Sequence, residues 1–117
     1  MRHRKRIMMD CKTYTNPECV KSNAKKASSI LKALSNERRL LIVCALSHGE
    51  KCVGELEEIV GISQSALSQH LAKLREECLV STRRDAQTIY YAVSSPAVAE
   101  LMSCLTRIYS DPKNSAH

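Results

Sequence analysis

The segment from Ile62 to Arg75 combines a buried apolar stripe with a face of short hydroxyl and amide side chains. Leu67, Leu71 and Leu74 recur at spacings of four and three residues, the period of one helix face. Hydroxyls and amides can bond to a phosphate or to a base edge, and glutamine can make two hydrogen bonds to adenine. The polar face therefore suits the major groove of a duplex. Its members are Ser63, Gln64, Ser65, Ser68, Gln69, His70 and Lys73.

A short helix and a tight turn precede this polar-faced helix. The segment Val53–Val60 has the pattern of a short helix, Gly61 and Ile62 follow as a turn, and Ser63 can cap the next helix. Helix, turn with glycine and polar-faced helix predict a helix-turn-helix. The alternative is an antiparallel helix pair whose polar face meets only solvent.

A hairpin is predicted directly after the second of these helices. The segments 79–84 and 88–93 are rich in β-branched residues and tyrosine, and Asp85-Ala86-Gln87 links them. Arginines at the base of a hairpin can grip phosphates or enter a minor groove, although they can equally be solvated surface residues. Beside a helix-turn-helix, the hairpin predicts a wing. Its candidate DNA contacts are Arg83, Arg84 and Gln87.

Apolar helices flank the predicted helix-turn-helix and its wing on both sides. A first helix begins at Asn16-Pro17, the segment Glu37–Leu46 is nearly all apolar, and a last helix begins at Ser95-Pro96. A small domain does not need both terminal helices to cover the core of its helix-turn-helix and wing. We therefore expect their apolar faces to pair across a two-fold axis, which would space two reading helices by about 34–36 Å for a palindromic site.

Length and composition predict one domain without a membrane partner. The chain has 117 residues, 44% of them hydrophobic, and no apolar run near the ~20 residues of a membrane span. We expect a basic, flexible arm at 1–16, a winged helix-turn-helix domain at 17–110 and a disordered tail at 111–117, in a cytoplasmic protein. Residues 1–39 hold eleven of the 18 Lys and Arg. The predicted helix-turn-helix and wing are therefore not strongly basic, and the prediction of DNA binding depends on the polar helix face and the wing.

Six cysteines are the other reactive side chains of the sequence. In a reducing cytosol they should be free thiols, and no Cys-x-x-Cys pair is present to suggest a redox enzyme or a zinc ribbon. Cys52 precedes the helix at Val53 as sulfur in a capping-box pattern, and a thiol at a helix N-terminus tends to be reactive. Cys44, Cys78 and Cys104 can equally be small buried apolar residues. We predict no cofactor and no conventional metal site.

A known pattern is formed by the segments 31–40, 53–56 and 63–71, by Arg83-Arg84 and by Tyr90-Tyr91. Through these segments, residues 27–109 resemble the ArsR/SmtB family of small winged-helix repressors. Within that family the chain is most similar to the haemolysin-activator and biofilm-repressor branch, whose relatives sense reactive sulfur species or oxidants through cysteines. The resemblance implies a mainly α fold of four helices, a β-hairpin wing and a fifth helix, a homodimer through the first and last helices, and repression relieved by an inducer.

The family's metal sites are incomplete in this sequence. In the third-helix motif Cys52 is present, but Gly54 replaces the second thiol. The family's zinc site on the last helix uses Asp and His near the start of that helix, where this chain has Ser94, Ser95 and Pro96. We therefore predict that Zn²⁺ does not control DNA release, because a zinc site needs about four ligands.

The sulfur-sensing branch pairs a cysteine of the second helix with one near the end of the last helix. Cys44 matches the first position, while the second falls on Ser110. The resolving thiol stays open, with Cys104 ahead of Cys19. Modification at Cys44 would add atoms to a packed interior and shift a two-state dimer away from its DNA-binding form.

These features predict a homodimeric, sequence-specific DNA-binding repressor of operator DNA and not an enzyme. Its DNA affinity would be controlled by thiol chemistry at Cys44, Cys104 and Cys52, with a reactive sulfur species or oxidant as the small inducer. One alternative is a repressor that responds to arsenite or another soft metal through three thiolates. A remote alternative is a small cytosolic thiol enzyme. The soft-metal site would use Cys11, Cys19 and Cys52.

Overall fold

The computed structural model describes residues 17–110 as five helices and three strands. Both the predicted arm at 1–16 and the predicted tail at 111–117 lie outside the described residues. Two compact units divide the chain, one ending at Lys32 and the other beginning at Ala33. Along the described chain the elements are α1 (Pro17–Leu34), α2 (Glu37–Leu46), β1 (Lys51–Cys52), α3 (Val53–Val60), α4 (Gln64–Glu76), β2 (Val80–Asp85), β3 (Thr88–Val93) and α5 (Pro96–Ser110).

The predicted fold class, a mainly helical winged helix-turn-helix, is confirmed. The three strands form one antiparallel sheet in the order β1-β3-β2. Its first strand was not expected, because two residues are too few to carry an alternating pattern. This strand pairs Lys51 with Tyr91 and Cys52 with Tyr90, so it attaches the start of α3 to the inner strand of the wing.

The wing closes through a tighter turn than the sequence suggests. The predicted link of three residues, 85–87, is shortened because Asp85 extends β2 and pairs with Thr88. Two residues remain at the tip, and Ala86 takes a positive φ of 59°. Two-residue hairpin turns require a positive φ, which non-glycine residues adopt at a cost. The sequence signal was weak because the tip lacks the usual Asn-Gly or Asp-Gly.

The core of the second unit lies beneath the helix-turn-helix. The predicted stripe of α4 is confirmed, since Leu67, Leu71 and Leu74 are at most 1% exposed. The helix that carries them packs against α2, α3 and β2. The other buried apolar residues are Ala33, Leu34, Ile42, Val43, Leu46, Leu56, Val60, Leu79, Val80, Val98 and Met102.

Several apolar side chains of the two terminal helices remain exposed. In α1, Leu31 is 56% exposed. In α5, Val98 and Met102 are buried, but Ile108 and Tyr109 near the helix end are 40% and 62% exposed. Within the described residues no helix has the length and apolar character needed to cross a lipid bilayer.

Candidate nucleic-acid interface and thiol groove

Two local devices fix the start of α4. Gly61 ends α3 in the left-handed region at φ 75°, and its N–H donates to the Glu57 carbonyl at 2.8 Å. Glycine adopts this conformation without the clash that a Cβ would cause. Two residues later, the Ser63 hydroxyl accepts a hydrogen bond from the Ala66 N–H at 3.2 Å. The predicted turn and cap therefore set the angle at which α4 leaves α3.

The polar face of α4 is largely open to solvent. Its buried leucines lie on the opposite side, so the helix is held from below while the hydroxyls and amides stay available. Lys73 differs from its neighbours because its ammonium lies 3.8 Å from both Glu76 and Glu77. Six of the predicted DNA-contacting side chains on α4 and its cap are exposed: Ser63, Gln64, Ser65, Ser68, Gln69 and Lys73.

His70 is half-buried at the edge of this face, close to the first turn of α2. Burial lowers the pKa of His70 below its ordinary value of 6.5, and the positive charges of Arg39 and Arg38 lower it further. The two arginines are placed by the Asn36 cap, whose side chain accepts from both of their N–H groups. Sequence reasoning missed them as part of this surface, because only the folded chain brings α2 beside α4.

The two arginines of the wing have different surroundings. Arg83 donates from Nε to both carboxylate oxygens of Glu50, at 2.7 and 3.0 Å, and lies over the Tyr90 ring. Its neighbour Arg84 is exposed and forms no ion pair with the residues that the structure describes. Successive strand residues point to opposite faces, so the two guanidinium groups are directed apart. Gln87 is exposed at the tip.

The helix-turn-helix and the hairpin, residues 53–93, are called the reading head below. It carries all ten sequence-predicted DNA contacts on α4, its cap and the wing. The face of α4 offers donors and acceptors on a helix that is narrow enough for a major groove. The wing adds one unpaired cation, Arg84, that can contact a phosphate.

A second feature is a groove of about 460 Å³ between α2 and α5. Cys44 and Ser110 both line it, so the chain places the expected pair of positions in one cavity. The Cys44 thiol is half-buried and faces open space. Cys44 is therefore less tightly enclosed in the described chain than the predicted packed interior, and atoms added to its sulfur would have room in the groove. This thiol groove is lined by Leu40, Cys44, His48, Met102, Leu105, Thr106, Tyr109 and Ser110.

The other described cysteines lie away from the thiol groove. Cys104 is half-buried on α5, but the groove is lined by other residues of that helix. Cys78 is exposed, contrary to the apolar reading, because the chain leaves α4 there with a left-handed φ of 61°. Cys19 is half-buried in α1. No disulfide joins any two of the five described cysteines.

Cys52 occupies the junction between β1 and α3. Its N–H donates to the Glu55 carboxylate at 2.9 Å, the carboxylate half of the predicted capping box. This hydrogen bond is the main cause of a lowered pKa of Glu55. The thiol half of the predicted capping box is present as well, since the Cys52 side chain faces the Glu55 backbone N–H, and a side-chain hydrogen bond from Cys52 lowers the pKa of Glu55 further. In residues 17–110 no group of three His, Cys, Asp or Glu side chains is placed to hold a metal ion, and Cys11 of the soft-metal alternative lies outside that range.

Comparison with known proteins assigns the chain to a family. Residues 36–82 match the model of the bacterial regulatory protein, arsR family. The chain is 55% identical to the nodulation protein NolR of Rhizobium meliloti, over 76% of this chain and 73% of NolR. It is 49% identical to the transcriptional activator HlyU of Vibrio cholerae, over 80% and 87% of the two chains. Identity to the biofilm growth-associated repressor of Xylella fastidiosa is 37%, over 92% and 94%.

Solved structures agree with the sequence comparison. Reduced HlyU from V. cholerae matches with a TM-score of 0.75 and 50% identity, over 77% of this chain and 95% of HlyU. The homodimeric winged helix-turn-helix DNA-binding domain of Mb0332 from Mycobacterium bovis matches with a TM-score of 0.67 and 29% identity, over 82% and 88%.

These relatives confirm the predicted resemblance to the haemolysin-activator and biofilm-repressor branch. HlyU is a transcriptional activator and the X. fastidiosa protein a repressor, so these relatives are regulators and not enzymes, which agrees with a reading head that offers hydrogen-bonding groups on an exposed helix. The chain therefore belongs to the ArsR family of bacterial regulatory proteins, and it is a DNA-binding transcriptional regulator.

Proposed function

We propose that the protein is a homodimeric repressor that binds a palindromic operator and releases it when Cys44 is modified by a reactive sulfur species or an oxidant. The observation that carries this proposal is the half-buried Cys44 thiol in an open groove of the same unit that contains the reading head. It would act in the cytoplasm, where thiols stay reduced until an inducer arrives.

Operator recognition is supported by the exposed side chains of α4. Gln64 and Gln69 are exposed amides on a helix that is seated on buried leucines. Such a side chain can make two hydrogen bonds to adenine, and the neighbouring serines can bond to either bases or phosphates. Arg84 contributes a contact that carries no sequence information.

The homodimer is supported by the apolar side chains that the terminal helices leave exposed. Leu31 of α1 and both Ile108 and Tyr109 of α5 are large, apolar and exposed within the described chain. Burial of such side chains is the usual driving force for association. The similar Mb0332 domain is described as homodimeric. A two-fold axis would present two copies of α4 to a palindromic duplex.

The thiol switch follows from the chemistry that the groove permits. The Cys44 thiolate attacks a terminal sulfur of an inorganic tetrasulfide, and its proton goes to solvent. A new S–S bond forms at Sγ, the adjacent S–S bond of the tetrasulfide breaks, and trisulfide leaves with the electron pair. Cys44 is thereby oxidised to a persulfide while the tetrasulfide is reduced. The related HlyU was solved in a reduced form.

The new sulfur atom would extend into the groove between α2 and α5. Both walls of the groove are helices, so contacts of the new sulfur with both walls would change their separation. Because α5 is also the proposed dimer helix, that change would alter the spacing of the two reading heads. The single-thiol form of the switch is favoured because, of the described cysteines, only Cys44 lines the groove.

The DNA part of the proposal is tested by operator selection followed by fluorescence anisotropy. The reduced wild-type protein should bind a selected palindrome at least 10³-fold more tightly than a scrambled duplex at physiological salt. Equal affinity for the two duplexes would reject sequence-specific recognition. Sedimentation of the free protein tests for a dimer.

The thiol part is tested by comparing Cys44→Ser, Cys52→Ser and a double serine variant of Cys11 and Cys19. We expect tetrasulfide to release the operator from all of them except Cys44→Ser. Release by arsenite that survives in Cys44→Ser and is lost in the other two variants would favour the soft-metal site instead.

A further inference from the structure

An ion pair joins the wing to the segment that follows α2. The Arg83 Nε atom lies 2.7 Å from Oε1 and 3.0 Å from Oε2 of Glu50, residues that are 33 positions apart in the chain. The same guanidinium carbon is 4.6 Å from the centre of the Tyr90 ring. Carboxylate and ring together fix the orientation of Arg83, because a planar guanidinium can use both contacts at once.

The sheet order explains what this contact holds together. Strand β3 lies between β1 and β2, and its Tyr90 is paired with Arg83 on one side and with Cys52 on the other. Arg83 therefore reaches across Tyr90 toward Glu50, which immediately precedes β1. The pair links the two outer strands over the middle one. Strand β1 has only two residues, so backbone hydrogen bonds alone attach it weakly.

We propose that Glu50 and Arg83 are positioning residues that set the angle of the wing, so that Arg84 becomes its phosphate contact. This inference rests on the proposed recognition of a DNA operator. It assigns different roles to two adjacent arginines that the sequence alone presents as equivalent. Arg83 is satisfied within the protein, whereas Arg84 is exposed and directed to the other face of the hairpin.

The negative charge of Glu50 makes its role testable, because its charge effect and its positioning effect on DNA affinity have opposite signs. An acid near a DNA-binding surface repels phosphates, so its neutralisation should strengthen DNA binding if charge were its only influence. A positioning role predicts the opposite, because the loss of Glu50 leaves Arg83 with the Tyr90 ring and a 4.0 Å contact to Asp85 within the same strand, which no longer tie the wing to the segment before β1. Glu58 provides a matched control, since it is an exposed acid of α3 that is not among the ten predicted DNA contacts and has no ion pair to the described residues.

The experiment measures operator affinity of the full chain by anisotropy for Glu50→Gln, Arg83→Gln, Arg84→Gln and Glu58→Gln. We expect Glu50→Gln and Arg83→Gln each to weaken binding by about two- to fivefold, the range of an exposed ion pair. Glu58→Gln should leave affinity unchanged or raise it slightly. Tighter or unchanged binding by Glu50→Gln would overturn the positioning role.

A second background separates positioning of Arg84 from a general loss of stability. When Arg84 is already glutamine, Glu50→Gln should have no further effect on affinity, because the contact that it positions is gone. An equal loss in both backgrounds would overturn the inference. If the wild-type protein does not distinguish operator from scrambled DNA, the proposed function itself fails. If the wild type does distinguish them and Glu50→Gln still binds as tightly, only the positioning role is wrong.

Discussion

The reading head is tightly packed beneath α4, whereas the thiol groove is open. The reading helix α4 rests on three leucines that are at most 1% exposed, and its start is fixed by a glycine turn and a serine cap. The groove between α2 and α5 is open, and its thiol is only half-buried. A rigid helix can hold side chains in register with bases, whereas an open groove can accept new atoms without breaking a core.

Under the proposed function, this difference in packing would place sequence specificity in the reading head and regulation in the thiol groove. A close-packed core resists small changes, so added atoms there would cost stability instead of shifting an equilibrium. In the groove, the same atoms can bias the distance between two helices at low cost. Looser packing at a sensing site is useful in a regulator, because the DNA-binding part must stay folded in both states.

The largest expected effect is the loss of packing beneath α4. Leu71→Ala should lower the free energy of unfolding by about 2–5 kcal/mol, because the site is buried and cannot easily collapse. Leu105→Ala, on the wall of the groove, should cost only about 1 kcal/mol since Leu105 is already partly exposed. Urea denaturation of the two variants measures the contrast. Equal losses would contradict the difference in packing.

The next effect concerns base recognition. Gln69→Ala should reduce discrimination between the operator and a duplex with a substituted adenine by about 1–3 kcal/mol, if the amide makes two hydrogen bonds to that base. Arg84→Ala should weaken all duplexes alike and reduce the slope of log affinity against log salt by about 1. Anisotropy titrations at several salt concentrations check both. A uniform loss in Gln69→Ala would assign that side chain to the backbone.

A second thiol in the groove should sharpen the switch. Ser110→Cys adds a partner for Cys44 in the same groove, so peroxide should produce a disulfide and lower operator affinity by about tenfold, which needs only about 1.4 kcal/mol of preference between two states. Intact-protein mass spectrometry detects the loss of two hydrogens. Ser103→Cys is the control, because it lies on α5 outside the thiol groove. A disulfide that forms equally in the control would mean that the groove does not select the pair.

The smallest effect is a pH dependence at the edge of the reading head. Burial, followed by the charges of Arg39 and Arg38, lowers the pKa of His70, so the unfolded chain accepts this proton more readily than the folded one. The stabilising contribution is therefore fully present above the unfolded value of about 6.5 and is lost as the pH falls through the lowered pKa. His70→Gln should flatten this part of the stability profile. Parallel profiles for wild type and variant would contradict it.

Local patterns predicted most of the reading head. The sequence predicted the bounds of α2, α3 and β3, the glycine turn and the buried leucines, because each depends on neighbours within a few residues. It missed β1, which exists only because β3 is beside it, and it treated Arg83 and Arg84 alike. The sequence also allowed a buried apolar role for Cys78, which is exposed because the chain turns left-handed there. The distribution of space around Cys44 depends on how α5 folds back, which no local pattern encodes.

Modification of Cys44 alone should change operator affinity. A variant in which the other five cysteines are serine isolates this thiol, and it is titrated against the operator before and after tetrasulfide treatment. Mass spectrometry verifies that one sulfur atom has been added. This variant should bind the operator like wild type when reduced and at least tenfold more weakly as the persulfide. Unchanged affinity of the fully modified protein would contradict it.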